Sequence, residues 1–197
     1  MIILALSSLL MLSILSGTAE AGQRHKQLEK ATFAGGCFWC TEGEFDKVEG
    51  VVSVTPGYTG GRMKSPTYED VCSGKTGHAE AVEILFDPEK TSFAKLLDAY
   101  WHSIDPTAKD RQFCDVGSQY RTAIFYHGEA QKKAAEESIR AIEKQKGIKV
   151  LTELVAATEF YPAEDYHRKY YKKNPFRYNI YKEGSGRKQR LEDIWGK

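Results

Sequence analysis

From Lys30 onward the spacing of apolar residues switches repeatedly between a two-residue and a helical period. That alternation limits the chain to a layered mixture of strands and helices. The clearest strand runs from Glu80 to Phe86, where Val82, Ile84 and Phe86 share one face and Asp87-Pro88 stops the run. The clearest helix follows, with Phe93, Leu96, Leu97, Tyr100, Trp101 and Ile104 at i, i+3, i+4 and i+7 spacing. Ahead of this pair, Ala31 to Ala34 is a short apolar strand ended by Gly35-Gly36. A helical stretch then carries Phe38, Trp39, Phe45 and Val48 to Gly50, and β-branched Val51 to Val54 reads as a strand. Behind the pair come an aromatic-rich strand at 120–126, a charged helix from Glu129 to Lys146 ended by Gly147, and a strand from Val150 to Val155. The order β-α-β-β-α-β, then α-β and a polar tail, predicts an α+β domain of the ferredoxin-like, split βαβ kind with extra C-terminal α/β elements. Pro56 to Thr76, rich in Gly, Pro and Thr, is predicted to be a long loop of the sort that carries function.

Length and charge narrow the partners. A chain of 197 residues suits one hydrophobic core, and no Pro/Gly/Ser-rich linker divides it. Lys and Arg number 28 against 27 Asp and Glu, a balance that recommends neither nucleic acid nor an anionic membrane surface. Residues 2–15 are an uncharged apolar run of 14, too short to span a bilayer and suited to a secretory leader. Ala19-Glu20-Ala21 offers small residues for cleavage, so a leader at 1–21 and a functional domain at 22–197, with its core at about 30–180, are expected. The competing reading is an uncleaved anchor, since no Lys or Arg precedes the apolar run. Either way the domain is expected outside the cytoplasm, in the periplasm or beyond, with no stable membrane insertion once the leader is cut.

Four cysteines are too few for a disulfide-stapled scaffold of this length but enough for one metal site or one redox couple. Gly35-Gly36-Cys37-Phe38-Trp39-Cys40 lies after a strand and opens a helix. Unpaired N–H groups and the helix dipole there favour a thiolate on Cys37, and the spacing allows a disulfide with Cys40. Half a zinc site is the weaker reading, because Cys72 and Cys114 are isolated and no His-x-x-x-His pair exists. A structural disulfide and a thioredoxin-like centre also compete; against the latter, no Trp precedes the first cysteine. There is also no Walker A or Rossmann glycine motif.

Two further polar clusters stand downstream: Tyr68 to Glu80, joining the long loop to a strand, and Asp110 to Arg121. Gly-Cys-Phe-Trp-Cys, Gly57-Tyr58-Thr59-Gly60-Gly61, the Tyr68–Glu80 block and the Gln112–Arg121 block, in that order, resemble peptide methionine sulfoxide reductase of the A type. Tyr166-His167 and Asn174-Pro175 resemble its C-terminal portion, so the similarity extends from about Lys30 to Pro175.

The resemblance implies that Cys37 attacks the sulfoxide sulfur, that Phe38 and Trp39 receive the substrate methyl, and that Glu80, Tyr68, Tyr120 and Asp115 complete the site, with selectivity for the S epimer. The residue types suit this chemistry. A sulfoxide oxygen leaves only when protonated, and Glu80 holds a proton near neutrality if it is buried. Phenol hydroxyls of Tyr68 and Tyr120 can bond the oxygen without adding charge, while Asp115 is better suited to orienting a neighbour. No cofactor is expected beyond an external dithiol of thioredoxin type, and the expected partners are that reductase and oxidised proteins or peptides. Many relatives recycle through cysteines near the C-terminus, whereas the last cysteine here is Cys114. Cys40 is therefore expected to resolve the Cys37 sulfenic acid, with Cys114 as rival and Cys72 as a small buried hydrophobe. The competing functions are a general thiol–disulfide exchanger using Cys37 and Cys40, and a binding module whose cysteines are structural.

Overall fold

The computed structural model describes residues 27–196, so the leader expected at 1–21 lies outside the described residues. The chain forms β1 (Glu29–Gly35), α1 (Phe38–Phe45), β2 (Val51–Thr59), α2 (Tyr68–Cys72), β3 (Ala79–Phe86) and α3 (Phe93–Trp101). A two-strand ribbon of β4 (Arg111–Gln112) and β5 (Asp115–Val116) leads through a 3₁₀ turn at Ser118–Tyr120 to β6 (Thr122–Tyr126). Then come α4 (Glu129–Lys146), β7 (Glu153–Ala156), β8 (Tyr161–Pro162), α5 (Tyr170–Lys173), α6 (Pro175–Gly184) and α7 (Arg187–Trp195).

The main sheet has the order β7-β6-β1-β3-β2-β8. Its central four strands, β6-β1-β3-β2, are mutually antiparallel neighbours, which is the split βαβ arrangement expected from the element order. β7 adds parallel to β6 across the α4 crossover, and β8 caps the far edge against β2. Alternation along β3 decides the layers. Val82, Ile84 and Phe86 join Phe33, Phe45, Leu96 and Tyr100 in the principal core, while Ala79 and Ala81 belong to a thinner cluster with Ala34, Ala123 and Phe125. Glu80 stands two residues before Val82 and so lies on the same face of β3 as Val82, Ile84 and Phe86. Phe33 organises that core, stacking on Phe45, Phe93 and Tyr100 at centroid distances of 5.2, 5.8 and 4.9 Å.

The structure corrects several expectations. β2 runs to Thr59, beyond the loop start expected at Pro56, because Pro56 and Gly57 remain paired with β3 opposite Val82 and Ala81. Gly57 is required for space: a Cβ there would lie 2.4 Å from the Tyr161 carbonyl of β8. The rest of the expected loop contains α2, started by a capping box between Thr67 and Asp70. Tyr120 closes the 3₁₀ turn and is not in a strand. The polar tail is helical, with Pro175 at the start of α6. Polar and charged residues are interspersed through α6 and dominate α7, but Tyr178, Arg187 and Trp195 turn inward, the Trp195 indole donating to the Ile104 carbonyl at 3.3 Å. Among the described residues no helix is long and apolar enough to cross a membrane.

Candidate active site

The site is built on the turn from β1 into α1. Gly36 has φ +81°, and a Cβ there would meet the Gln112 side chain at 2.5 Å, so both backbone conformation and space require glycine. Gln112 is itself fixed, its amide donating to the Asp105 carbonyl at 2.7 Å and its oxygen accepting from Asp105 N–H at 2.9 Å. Cys37 is the N-cap residue of α1, with no side-chain cap. The free N–H of Phe38, in the first turn, donates to Glu80 Oε2 at 3.0 Å. This bond joins the strand carboxyl to the helix that carries the thiols.

Glu80 is 2% exposed. Burial lifts its carboxyl to about 8, opposed by the Phe38 N–H and reinforced by Asp115 and Cys40. The hydroxyl groups of Tyr68 and Tyr120 lie within the field of the same carboxyl, and burial raises both phenols, keeping them protonated donors. Asp115 accepts from the Tyr181 hydroxyl, and that hydroxyl acts to lower the Cys37 thiol against its burial. Cys37, Tyr68, Tyr120 and Asp115, from four separate segments, thus all lie within electrostatic reach of Glu80.

The thiols depart from the sequence expectation. Cys37 is buried, and burial pushes its thiol well up, aided by its hydrogen bond with Cys40 and by Glu80, in the direction opposite to that expected of a helix start. Cys40 is wholly buried, and the hydrogen bond from Cys37 holds its thiol down to about 6 against that burial. Both thiols are free. Cys114 is exposed and its thiol donates to Asp115 Oδ1 at 3.7 Å. Cys72 is half-buried beside the Tyr68 hydroxyl rather than sunk in the core.

Trp39 forms one wall. Its indole N–H donates to His167 Nδ1 at 3.0 Å, and its ring stacks on Tyr170 with centroids 3.7 Å apart. Phe38 is buried beneath it, against Tyr58 and His167 at 5.9 and 4.9 Å. Glu164 ties the opposite side together, accepting from Tyr58 Oη and from Tyr68 N–H, each at 2.8 Å. Glu42, buried in α1, accepts from Lys169 N–H at 2.9 Å, and burial lifts its carboxyl to about 7 despite Lys169. His167 thus orients Trp39, and Glu164, Tyr170 and Tyr181 join the site from outside the sequence motifs named above. Beside the Tyr166-His167 and Asn174-Pro175 resemblance, the density of aromatics from Tyr166 to Tyr181 is the signal in the sequence that points to this segment. Among the described residues no three His, Cys, Asp or Glu side chains gather as a metal-binding set.

A buried acid poised to give a proton, phenol donors around it and a hydrogen-bonded thiol pair at a helix start equip the site for nucleophilic attack on an atom that bears a polar oxygen. Comparison with known proteins agrees in kind. The family profile described as peptide methionine sulfoxide reductase matches residues 29–197. Peptide methionine sulfoxide reductase MsrA of Bacillus licheniformis is 52% identical over 171 residues, covering 86% of this chain and 94% of the relative. In structure, methionine sulfoxide reductase A of Corynebacterium diphtheriae has a TM-score of 0.72 at 36% identity, covering 75% of this chain and 76% of that one. Mxr1 of Saccharomyces cerevisiae in its reduced form gives 0.73 at 31% identity, covering 76% and 87%, and Mxr1 has also been solved in complex with Trx2. The chain belongs to the peptide methionine sulfoxide reductase family, as an A-type enzyme that reduces methionine sulfoxide.

Proposed function

We propose that the enzyme reduces the S epimer of methionine sulfoxide, free or in peptides and proteins, as a repair of oxidative damage. Cys37 sulfur attacks the sulfoxide sulfur while Glu80 gives its proton to the departing oxygen, and the Cys37 proton passes to Cys40. Transfer of oxygen to Cys37 releases methionine and leaves a sulfenic acid, so the cysteine is oxidised by the two electrons the substrate gains. Tyr68 and Tyr120 hold the oxygen by hydrogen bonds, Asp115 orients Tyr181 against Cys37, and Trp39 with Phe38 receives the methyl group. Cys40 then displaces the sulfenic oxygen as water and closes a disulfide, which an external dithiol reopens. The Trx2 complex of yeast Mxr1 supports a thioredoxin-like donor. No cofactor other than that dithiol is required by these steps.

The observation that carries the reading is the bond between Glu80, lifted to about 8, and the helix turn bearing Cys37. The decisive assay is dithiol-dependent loss of S and R sulfoxide from a methionine peptide by wild type, Cys37→Ser and Glu80→Gln. Loss of the S epimer alone, abolished by Cys37→Ser, is expected; no S turnover by wild type overturns the proposal, and disulfide reduction of insulin independent of Glu80 points to general exchange instead. We also propose export through the apolar leader at 1–21. Cell fractionation with N-terminal sequencing checks this, and full-length protein recovered from the cytoplasm alone sinks it.

A further inference from the structure

One side of α1 holds a single later segment. Trp39, Glu42 and Asp46 stand at i, i+3 and i+7, so their side chains leave the helix in the same direction, and all three meet residues 167–172. The Trp39 indole donates to His167 Nδ1 at 3.0 Å, and its ring stacks on Tyr170. Glu42 has no exposed surface; its two carboxyl oxygens lie 3.1 and 2.9 Å from the backbone N–H of Lys169, and one is 3.7 Å from the Lys169 ammonium. Asp46, closing α1, accepts from the Lys169 ammonium, the Tyr171 hydroxyl and, at 3.3 Å, the Lys172 ammonium. Lys169 itself is left-handed, at φ +52° and ψ +36°, a backbone conformation that a non-glycine residue keeps only when its surroundings hold it there. That turn lies between His167 and Tyr170, the two residues that fix the Trp39 ring.

We propose that Glu42, supported by Asp46, is a positioning residue that sets the Trp39 wall of the methyl pocket and with it the size of the group the pocket admits. This deepens the proposed function and rests on its assignment of Trp39 and Phe38 as the residues that receive the methyl. Glu42 is too deep to meet substrate, so it acts through its neighbours. It holds the Lys169 N–H, and the Lys169 turn presents the His167 ring to the edge of Trp39 and the Tyr170 ring to its face. Without the carboxyl, the buried N–H loses its acceptor and the left-handed turn relaxes toward ordinary backbone. His167 and Tyr170 then no longer stand at a fixed spacing against Trp39. A pocket shaped for methyl loses contact with it and gains room for a longer alkyl group. Glu80 is held instead by the Phe38 N–H, so proton delivery does not pass through Lys169.

The test is a double-mutant cycle in steady-state kinetics at fixed dithiol, with methionine sulfoxide in a peptide and with its S-ethyl homologue as substrates. Glu42→Leu is expected to raise KM for methionine sulfoxide about five- to twentyfold while kcat stays within about twofold. The preference for methyl over ethyl should shrink by about the same factor, since one methylene in an apolar pocket is worth about tenfold or more. In the Trp39→Phe background the same substitution should raise KM by less than about twofold, because the ring it acts through has already lost its bond to His167. Glu42→Gln keeps an acceptor for the Lys169 N–H and should hold KM within about threefold of wild type. Effects of Glu42 and Trp39 that simply multiply, an unchanged methyl preference, or a loss of kcat as large as the rise in KM overturns the proposal. Should Glu42→Leu fail to fold, Asp46→Ala enters the same cycle, with a rise in KM of about two- to fivefold expected; no rise, or one that persists in full beside Trp39→Phe, overturns it. Failure of the underlying reading looks different: Trp39→Phe alone would leave both KM and the methyl preference untouched.

Discussion

Replacing Glu80 by Gln removes a proton donor and an ionisable core group together, and the two losses act in opposite directions. Folding lifts the carboxyl from its ordinary 4.5 to about 8. Between those values the folded protein holds a proton that the unfolded chain has released. The stability linked to Glu80 is therefore complete below about 4.5, declines as pH rises, and is gone above about 8. At about 1.4 kcal/mol per pH unit, the interval amounts to roughly 5 kcal/mol. Gln stays neutral, can still accept the Phe38 N–H on its carbonyl oxygen, and has no such slope. Urea unfolding at a series of pH values should thus show the variant gaining on wild type by about 5 kcal/mol between acid and mildly alkaline pH. Turnover moves the other way: the variant should lose about 10² to 10⁴ in kcat, and wild-type activity should fall as pH passes through about 8. Parallel stability curves for the two proteins, or a variant with near-normal kcat, would refute the argument that a buried, protonated Glu80 serves the reaction.

Three other outcomes follow from the site. Cys40→Ser should still release about one methionine per enzyme but leave a sulfenic acid trappable by dimedone, whereas Cys114→Ser should cycle normally; a Cys37–Cys114 disulfide in peptide maps of oxidised wild type contradicts this. Gly36→Ala should destabilise the fold by about 1–3 kcal/mol in thermal or urea melts, from the left-handed φ and the contact with Gln112. Trp39→Phe forfeits the hydrogen bond to His167 and part of the Tyr170 stack, and should raise KM by about tenfold with a smaller effect on kcat in steady-state assays.

The parts of the site legible in the sequence are those whose position follows from local pattern. Strand alternation sends Glu80 to the same face as Val82 and Ile84, and the Gly-Gly turn puts Cys37 at a helix start. The parts that are not legible depend on contacts across the chain. Arg187 reaches the Ser103 carbonyl, Lys182 reaches Glu44 and Trp195 reaches Ile104, each pairing a tail residue with one far earlier in sequence. In α6 and α7 the inward residues are single aromatics and an arginine amid charge, which reads as a solvated tail because no apolar stripe marks the buried side. The state of the thiols is hidden for a related reason. A helix N-terminus is visible in sequence, but the burial that raises the Cys37 thiol arises from packing.

The burial of the thiol pair bears on traffic through the site. Cys40 has no exposed surface and Cys37 retains 7%, so in the proposed cycle a disulfide between them can be reached from outside only at its Cys37 end, which sulfoxide must reach as well. Substrate and reductant then share a single doorway and take turns at it. Sulfoxide in excess blocks the dithiol from the oxidised enzyme, and dithiol in excess blocks sulfoxide from the reduced one. Turnover in such an arrangement follows ping-pong kinetics, with each partner a competitive inhibitor of the other's half of the cycle.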